Sequence, residues 1–239
     1  MNHPCQCIPL GDSALLLNFG DQITPEINQT VHAAAKLLLK AHFIEVIEMV
    51  PAYTTLTVYY DPCQVQAKRP YEALKEKILS TLQELKVKEV RAGNLIEVPV
   101  CYEGEFAPDL DQVASHCNLS SEEVINLHTT AIYDVYFLGF APGFPFLGGM
   151  DKRLSTPRLE SPRLEIPAGS VGIAGEQTGI YPLSTPGGWQ LIGHAPVSLV
   201  DFNADSPTLL KPGDKIRFKA ISYKEHQALE THRSIERKG

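Results

Sequence analysis

The chain has 239 residues, 44% of them hydrophobic and 21% charged, with a formal net charge of −7. That supplies a full apolar core for one large domain or two smaller ones. The acidic balance excludes non-specific nucleic-acid binding, which needs Lys and Arg against phosphates, and docking on anionic membrane surfaces.

The first third alternates strand and helix signals. Ala14 to Phe19 is an apolar run between Gly11-Asp12 and Gly20-Asp21, which suits a buried strand. Thr24-Pro25 opens a helix as N-cap and first helical residue, and Ile27, Val31, Ala34 and Leu38 form one apolar stripe to about Ala41. Phe43 to Val50 and Thr54 to Tyr60 read as strands. Pro70 starts a second helix with Tyr71, Leu74, Ile78, Leu82 and Leu85 on one face. The order β-α-β-β-α, with an extra strand possible at the start, predicts an α+β sandwich of ferredoxin-like type, with both helices on one face of an antiparallel sheet. Lys86 to Asn94 is polar and marks the boundary, giving domains over residues 1–90 and 91–239.

Leu95 to Tyr102 predicts the first strand of the second domain, and helices follow over Asp109 to Cys117 and Ser121 to Thr130. Ser120-Ser-Glu-Glu123 is a capping box. Helix, turn, helix is also the outline of a DNA-reading module. From Ala92 to Asp151, however, the chain carries acids and no Lys or Arg, so it has nothing to hold phosphates. After a strand over Ile132 to Phe137, short apolar runs (Gly172–Ala174, Leu191–Ile192, Val197–Phe202, Lys215–Ala220) alternate with Gly, Pro and Asp turns, the pattern of a mainly β barrel. Ser222 to Lys238 reads as a terminal helix or a frayed tail.

Five scattered cysteines without a C-x-x-C pair argue for reduced thiols, and no metal site is expected. The N-terminus lacks the pattern of a signal peptide, and no window approaches the ~20 apolar residues of a membrane span, so a cytoplasmic protein is expected.

Most of the glycines lie between Gly139 and Gly193, threaded with prolines, with Phe140, Phe144, Phe146 and Tyr181, and with the single tryptophan, Trp189. Such a stretch cannot be helical; it predicts shaped loops and short strands that hold aromatic faces in place. No P-loop, dinucleotide fingerprint or H-E-x-x-H occurs. Ala168-Gly-Ser-Val-Gly172 is close to a nucleophile elbow but has Ala168 where that turn needs glycine. The remaining catalytic candidates are Ser170, Gln177 and His194. The tandem repeat Thr156-Pro-Arg-Leu-Glu160 and Ser161-Pro-Arg-Leu-Glu165 presents Arg158 and Arg163 for substrate or phosphate, unless each pairs with a nearby acid. Gln177 and Thr178, ahead of Gly179, are further substrate candidates. His116 and His128 lie on the two short helices without metal-ligand spacing. His3, His32, His42, His226 and His232 read as surface residues.

Several of these runs resemble one family. Gly139-Phe-Ala-Pro-Gly-Phe-Pro-Phe-Leu, Pro167-Ala-Gly-Ser-Val-Gly-Ile-Ala-Gly, Gln177-Thr-Gly-Ile-Tyr-Pro, Pro186-Gly-Gly-Trp and the N-terminal Pro9-Leu-Gly-Asp-Ser-Ala-Leu-Leu are together similar to the allophanate hydrolase subunit 1 family. The resemblance implies a cyclophilin-like barrel in the second domain. It also implies a role as the B-type subunit, with partner subunits C and A, of a complex that opens 5-oxoproline to glutamate with hydrolysis of ATP. The ATP would be shared with those partners, and the chain alone would be inactive. A further implied role is a Kip-type inhibitor that binds the dimerisation and phosphotransfer helices of a sporulation sensor histidine kinase. Phe140, Pro142, Phe144, Pro145, Phe146, Tyr181, Pro186 and Trp189 would then form an exposed partner-binding surface. Two alternatives stay open: a kinase inhibitor with no enzymatic role, and a carboxyltransferase-type subunit of a biotin-dependent urea or allophanate system. No Met-flanked biotinyl lysine is visible, so biotin is not expected. Gly193-His-Ala-Pro196 departs from the Gly-Arg-Thr-Pro expected there, so a cationic contact at this place would require protonated His194.

Overall fold

The structure, a computed structural model, describes residues 5–85 and 93–236; the expected boundary over 86–94 falls mostly outside them. The chain divides into two compact units, Met1–Ala92 and Gly93–Gly239.

In the first unit β1 (Gln6–Pro9) and β2 (Ala14–Asn18) form an antiparallel hairpin. Helix α1 (Pro25–Ala41) follows. The Thr24 side chain accepts from Ile27 N at its start, and His42 in the left-handed region ends it. Strands β3 (Val46–Pro51) and β4 (Thr55–Tyr60) and helix α2 (Pro70–Leu82) complete the unit. The expected strand over Phe43–Val50 begins late because the backbone turns after His42, with Val46 N donating to Phe43 O. The sheet is antiparallel in the order β1-β2-β4-β3. Its edge strand beside β2 comes from the N-terminus, so the chain order is ββαββα rather than the βαββαβ of a ferredoxin-like sandwich. Val31, Ala34 and Leu38 of α1 and Leu74, Ile78 and Leu82 of α2 bury one stripe each, sharing a core with Leu15, Leu17, Leu56 and Val58.

The second unit begins with β5 (Leu95–Cys101), then α3 (Leu110–Cys117) and α4 (Ser121–Thr130). The capping box at Ser120 is formed in both directions: Glu123 N donates to Ser120 Oγ, and Ser120 N to Glu123 Oε2. Short strands follow: β6 (Tyr133–Leu138), β7 (Pro145–Gly148), β8 (Arg163–Ile166), β9 (Ser170–Ala174), β10 (Gln177–Ile180), β11 (Thr185–Gly187), β12 (Gln190–His194) and β13 (Lys215–Ile221). Helix α5 (Tyr223–Glu236) ends the described chain. Seven strands form one sheet in the order β10-β9-β12-β5-β13-β6-β7, mixed through the parallel pair β13 and β5. Its edges nearly meet, since a side chain added at Gly179 on β10 would lie 3.4 Å from Pro145 O on β7. The result is a nearly closed, barrel-like sheet. Its interior holds Val98, Val100, Tyr133, Val171, Ile173, Ile180, Ile192 and Phe218 with Val113 and Val124 of α3 and α4. The expected strand over Val197–Phe202 reduces to a bridge between Val200 and Thr208, because Asp201 Oδ1 takes Asn203 N and turns the chain.

All five cysteines are free thiols. Among the described residues no helix is long and apolar enough to cross a membrane.

Candidate functional site

The Gly139–Gly193 stretch builds a groove on the second unit. It starts with the loop between β6 and β7, which is closed by Gly139 N donating to Phe144 O and Phe144 N to Ala141 O. Within it Phe140 takes a φ of 65° and stays 70% exposed. A bulky residue in the left-handed region is strained, and such strain gathers at functional sites. Gly143, at φ 78°, has Val200 Cγ2 at 2.2 Å from where a side chain would start, so the loop must pass close beneath that residue.

Phe144 is the hub of the floor. Its ring makes edge-to-face contacts with Phe140, Phe146, Tyr181 and Trp189 at centroid distances of 5.5, 5.2, 5.5 and 5.5 Å. Phe144, Tyr181 and Trp189 are buried in a satellite cluster with Ile166, Ala174 and Leu191. This corrects the expectation of an exposed aromatic surface: packing against one another covers most of these rings, and of the five aromatic residues expected there Phe140 alone is exposed. The groove has a cavity volume of about 340 Å3 and is walled by Pro162, Pro186, Gly187 and Gly188, with Arg158 at its rim. Of the other expected partner residues, Pro142 lines a separate shallow groove beside Phe202, and Pro145 is buried in β7.

The two arginines of the tandem repeat part company. Arg163 Nη2 donates to Asp109 Oδ1 at 2.7 Å and Arg163 Nη1 to Trp189 O at 3.4 Å. Asp109 is buried and its second oxygen accepts from Leu191 N at 2.6 Å. Arg163 is thus a strut between β8, β12 and the start of α3, not a ligand contact. Arg158 is exposed, and among the described residues it makes no ion pair. Burial pushes the Tyr181 phenol up to about 12, although the Trp189 backbone and the Arg158 and Arg163 charges pull it down. The groove therefore offers an aromatic floor, a phenol that stays protonated, and one guanidinium.

Thr178 is fully buried and belongs to the barrel interior, which removes it as a substrate contact. It donates to Gly172 O at 3.0 Å and faces His128 Nε2 at 2.9 Å, while Tyr102 Oη sits 2.7 Å from His128 Nδ1. Thr178 has used its proton, so His128 Nε2 is the donor to it and Nδ1 accepts from Tyr102. Burial lowers the His128 pKa to about 3, and its ring stacks on Phe218. Gln177 begins β10 at the hairpin opposite Ala174, away from the groove lining. Ser170 is buried on β9, in register with His194. Both His194 nitrogens are committed: Nε2 lies 2.9 Å from Ala168 O and Nδ1 2.7 Å from His226 Nε2. His194 is thereby not free to serve as a base for Ser170 in this arrangement. His226, expected at the surface, is 2% exposed because α5 folds it under Phe106. That contact joins residues far apart in sequence, and no local pattern signals it.

A family model described as "Carboxyltransferase domain, subdomain C and D" matches residues 5–210. The chain belongs to this carboxyltransferase-domain family. Within the family it is 50% identical over 225 residues to the B subunit of 5-oxoprolinase from Bacillus subtilis, covering 92% of this chain and 94% of that protein. It is 42% identical over 213 residues to the B subunit of 5-oxoprolinase from Escherichia coli O157:H7, covering 89% and 94%. The crystal structure of TTHA0988 superposes with a TM-score of 0.75 at 40% identity, over 87% of this chain and 40% of that one.

Proposed function

We propose that the chain acts as the B-type subunit of an ATP-dependent 5-oxoprolinase complex, and that its groove receives the lactam. The supporting observation is the near full-length match, at 50% and 42% identity, to two proteins named as B subunits of 5-oxoprolinase. The groove suits such a ligand. A small flat ring can lie against Phe144, Tyr181 and Trp189 while its carboxylate meets the Arg158 guanidinium in a charge-assisted bond.

ATP does not fit the same place. A triphosphate needs several cations or a cradle of backbone N–H groups, and the residues lining the groove supply one cation, Arg158. We therefore assign nucleotide binding to the A-type and C-type partners and draw no step through it in this chain. Biotin-dependent carboxyl transfer suits the family description, yet the relatives of matching length carry the oxoprolinase name. The groove is also the place at which to test the second expected role, binding of sensor-kinase helices, since exposed Phe140 offers an anchor. On the first unit, exposed Leu39, Ile44 and Ile47 form an apolar surface that a partner chain of the complex would cover.

The experiment is reconstitution with the A-type and C-type partners and assay of 5-oxoproline-dependent ATP hydrolysis. Turnover by the complex and none by the isolated chain is the expected result. A complex that assembles but shows no 5-oxoproline dependence would count against the proposal.

A further inference from the structure

On the second unit, away from the aromatic groove, three ligating side chains converge where α5 meets the barrel. His194, at the end of β12, and His226 and Glu230, one helical turn apart on α5, each bring a ligand atom to within 4.8 Å of the other two. The imidazoles touch directly, with His194 Nδ1 2.7 Å from His226 Nε2.

Proton accounting makes this pair unusual. Ala168 O can only accept, so His194 Nε2 carries its hydrogen and Nδ1 is a lone pair. His226 must then donate through Nε2, which leaves Nδ1 as an acceptor. That atom is buried and has no hydrogen-bond partner, in a ring that is 2% exposed. The Ala168 carbonyl also does for His194 what an outer carbonyl does for a metal-bound histidine, fixing the tautomer and the ring plane. Phe106 packs on both imidazoles, at centroid distances of 5.2 and 4.1 Å, and shields one side.

The geometry points to a binding site for a divalent transition-metal ion of the zinc class, with His194, His226 and Glu230 as ligands and a fourth position for water. The ion takes the place of the proton shared by the two rings. His226 shifts its proton to Nδ1, and the nitrogens open by about 0.6 Å to the separation of tetrahedral ligands. Glu230 supplies the negative charge. Two imidazoles and a carboxylate suit zinc better than calcium or magnesium, which prefer oxygen ligands throughout. Bound metal fastens α5 to the barrel.

The test uses the full chain, stripped with chelator and carrying Cys5→Ser and Cys7→Ser so that the N-terminal thiols do not compete. Zinc is titrated calorimetrically, cobalt is followed by its visible spectrum, and thermal unfolding is recorded with and without metal. The expected result is one equivalent bound at micromolar or lower concentration, a cobalt spectrum without thiolate character, and a higher unfolding temperature. His194→Gln and Glu230→Gln, each checked to be folded without metal, should each weaken binding by about tenfold or more. Absence of saturable one-equivalent binding overturns the site, and so does binding that both variants leave unchanged.

Discussion

Arg158 and Arg163 occupy the same place in consecutive five-residue repeats and end in different roles. Arg163 is held by Asp109, 54 residues away in sequence, while Arg158 is left at the groove rim. Local sequence cannot separate them, because the deciding contact is long-range. Arg163→Ala would leave Asp109 buried without its cation, and removing one partner of a buried pair costs about 3 kcal/mol. Arg158→Ala, at an exposed position, should change stability by less than about 0.5 kcal/mol. Urea unfolding of both variants distinguishes the buried strut from the arginine left at the groove rim. His128 makes a second residue-scale prediction. The unfolded chain protonates it near the ordinary value of 6.5, whereas the folded protein keeps it neutral down to about 3. The unfolded state therefore binds more protons below 6.5, and the stability present above that value is lost as the pH falls toward 3. The slope from this group reaches about 1.4 kcal/mol per pH unit. His226 is lowered too, by burial and then by His194, and adds in the same direction. Unfolding at pH 7 and pH 5 should show the loss, with a shallower slope in His128→Phe.

At the scale of elements, local signals suffice wherever a motif closes on itself. Thr24 and Pro25 start α1, Ser120 and Glu123 cap α4, and the apolar stripe of α2 faces its sheet as the periodicity requires. Val197–Phe202 departs from its expected strand because the Asp201 turn outweighs β propensity. The aromatic stretch is legible as shaped loops, but its degree of burial is not. Whether Phe144, Tyr181 and Trp189 face solvent or one another depends on how β7, β10 and β12 come together across the barrel. Gly179 shows the tolerance of that packing, since a side chain there would meet Phe144 Cζ at 3.0 Å and Trp189 Cζ3 at 3.2 Å. Gly179→Ala should displace the floor at a cost of about 1–2 kcal/mol. Because Trp189 is the only tryptophan, its emission reports the change directly. An unshifted spectrum with unchanged stability would mean a floor looser than these contacts imply.

For the whole molecule, the sequence motifs are enough to name the family, and the match over residues 5–210 agrees with them. The position of the groove, and the retirement of Thr178 and Arg163 from it, require the fold. So does the joining of His194, His226 and Glu230, which come from the end of β12 and from α5, with β13 between them in the chain. A groove with one cation is suited to an anionic lactam and not to a nucleotide, so the proposed function requires division of labour among subunits. The most direct test is steady-state kinetics of the reconstituted complex carrying Arg158→Ala. The KM for 5-oxoproline should rise by about tenfold or more, the loss of one charge-assisted hydrogen bond, while the KM for ATP stays unchanged. An unchanged KM for 5-oxoproline, or an equal rise for both substrates, would contradict the assignment of the groove.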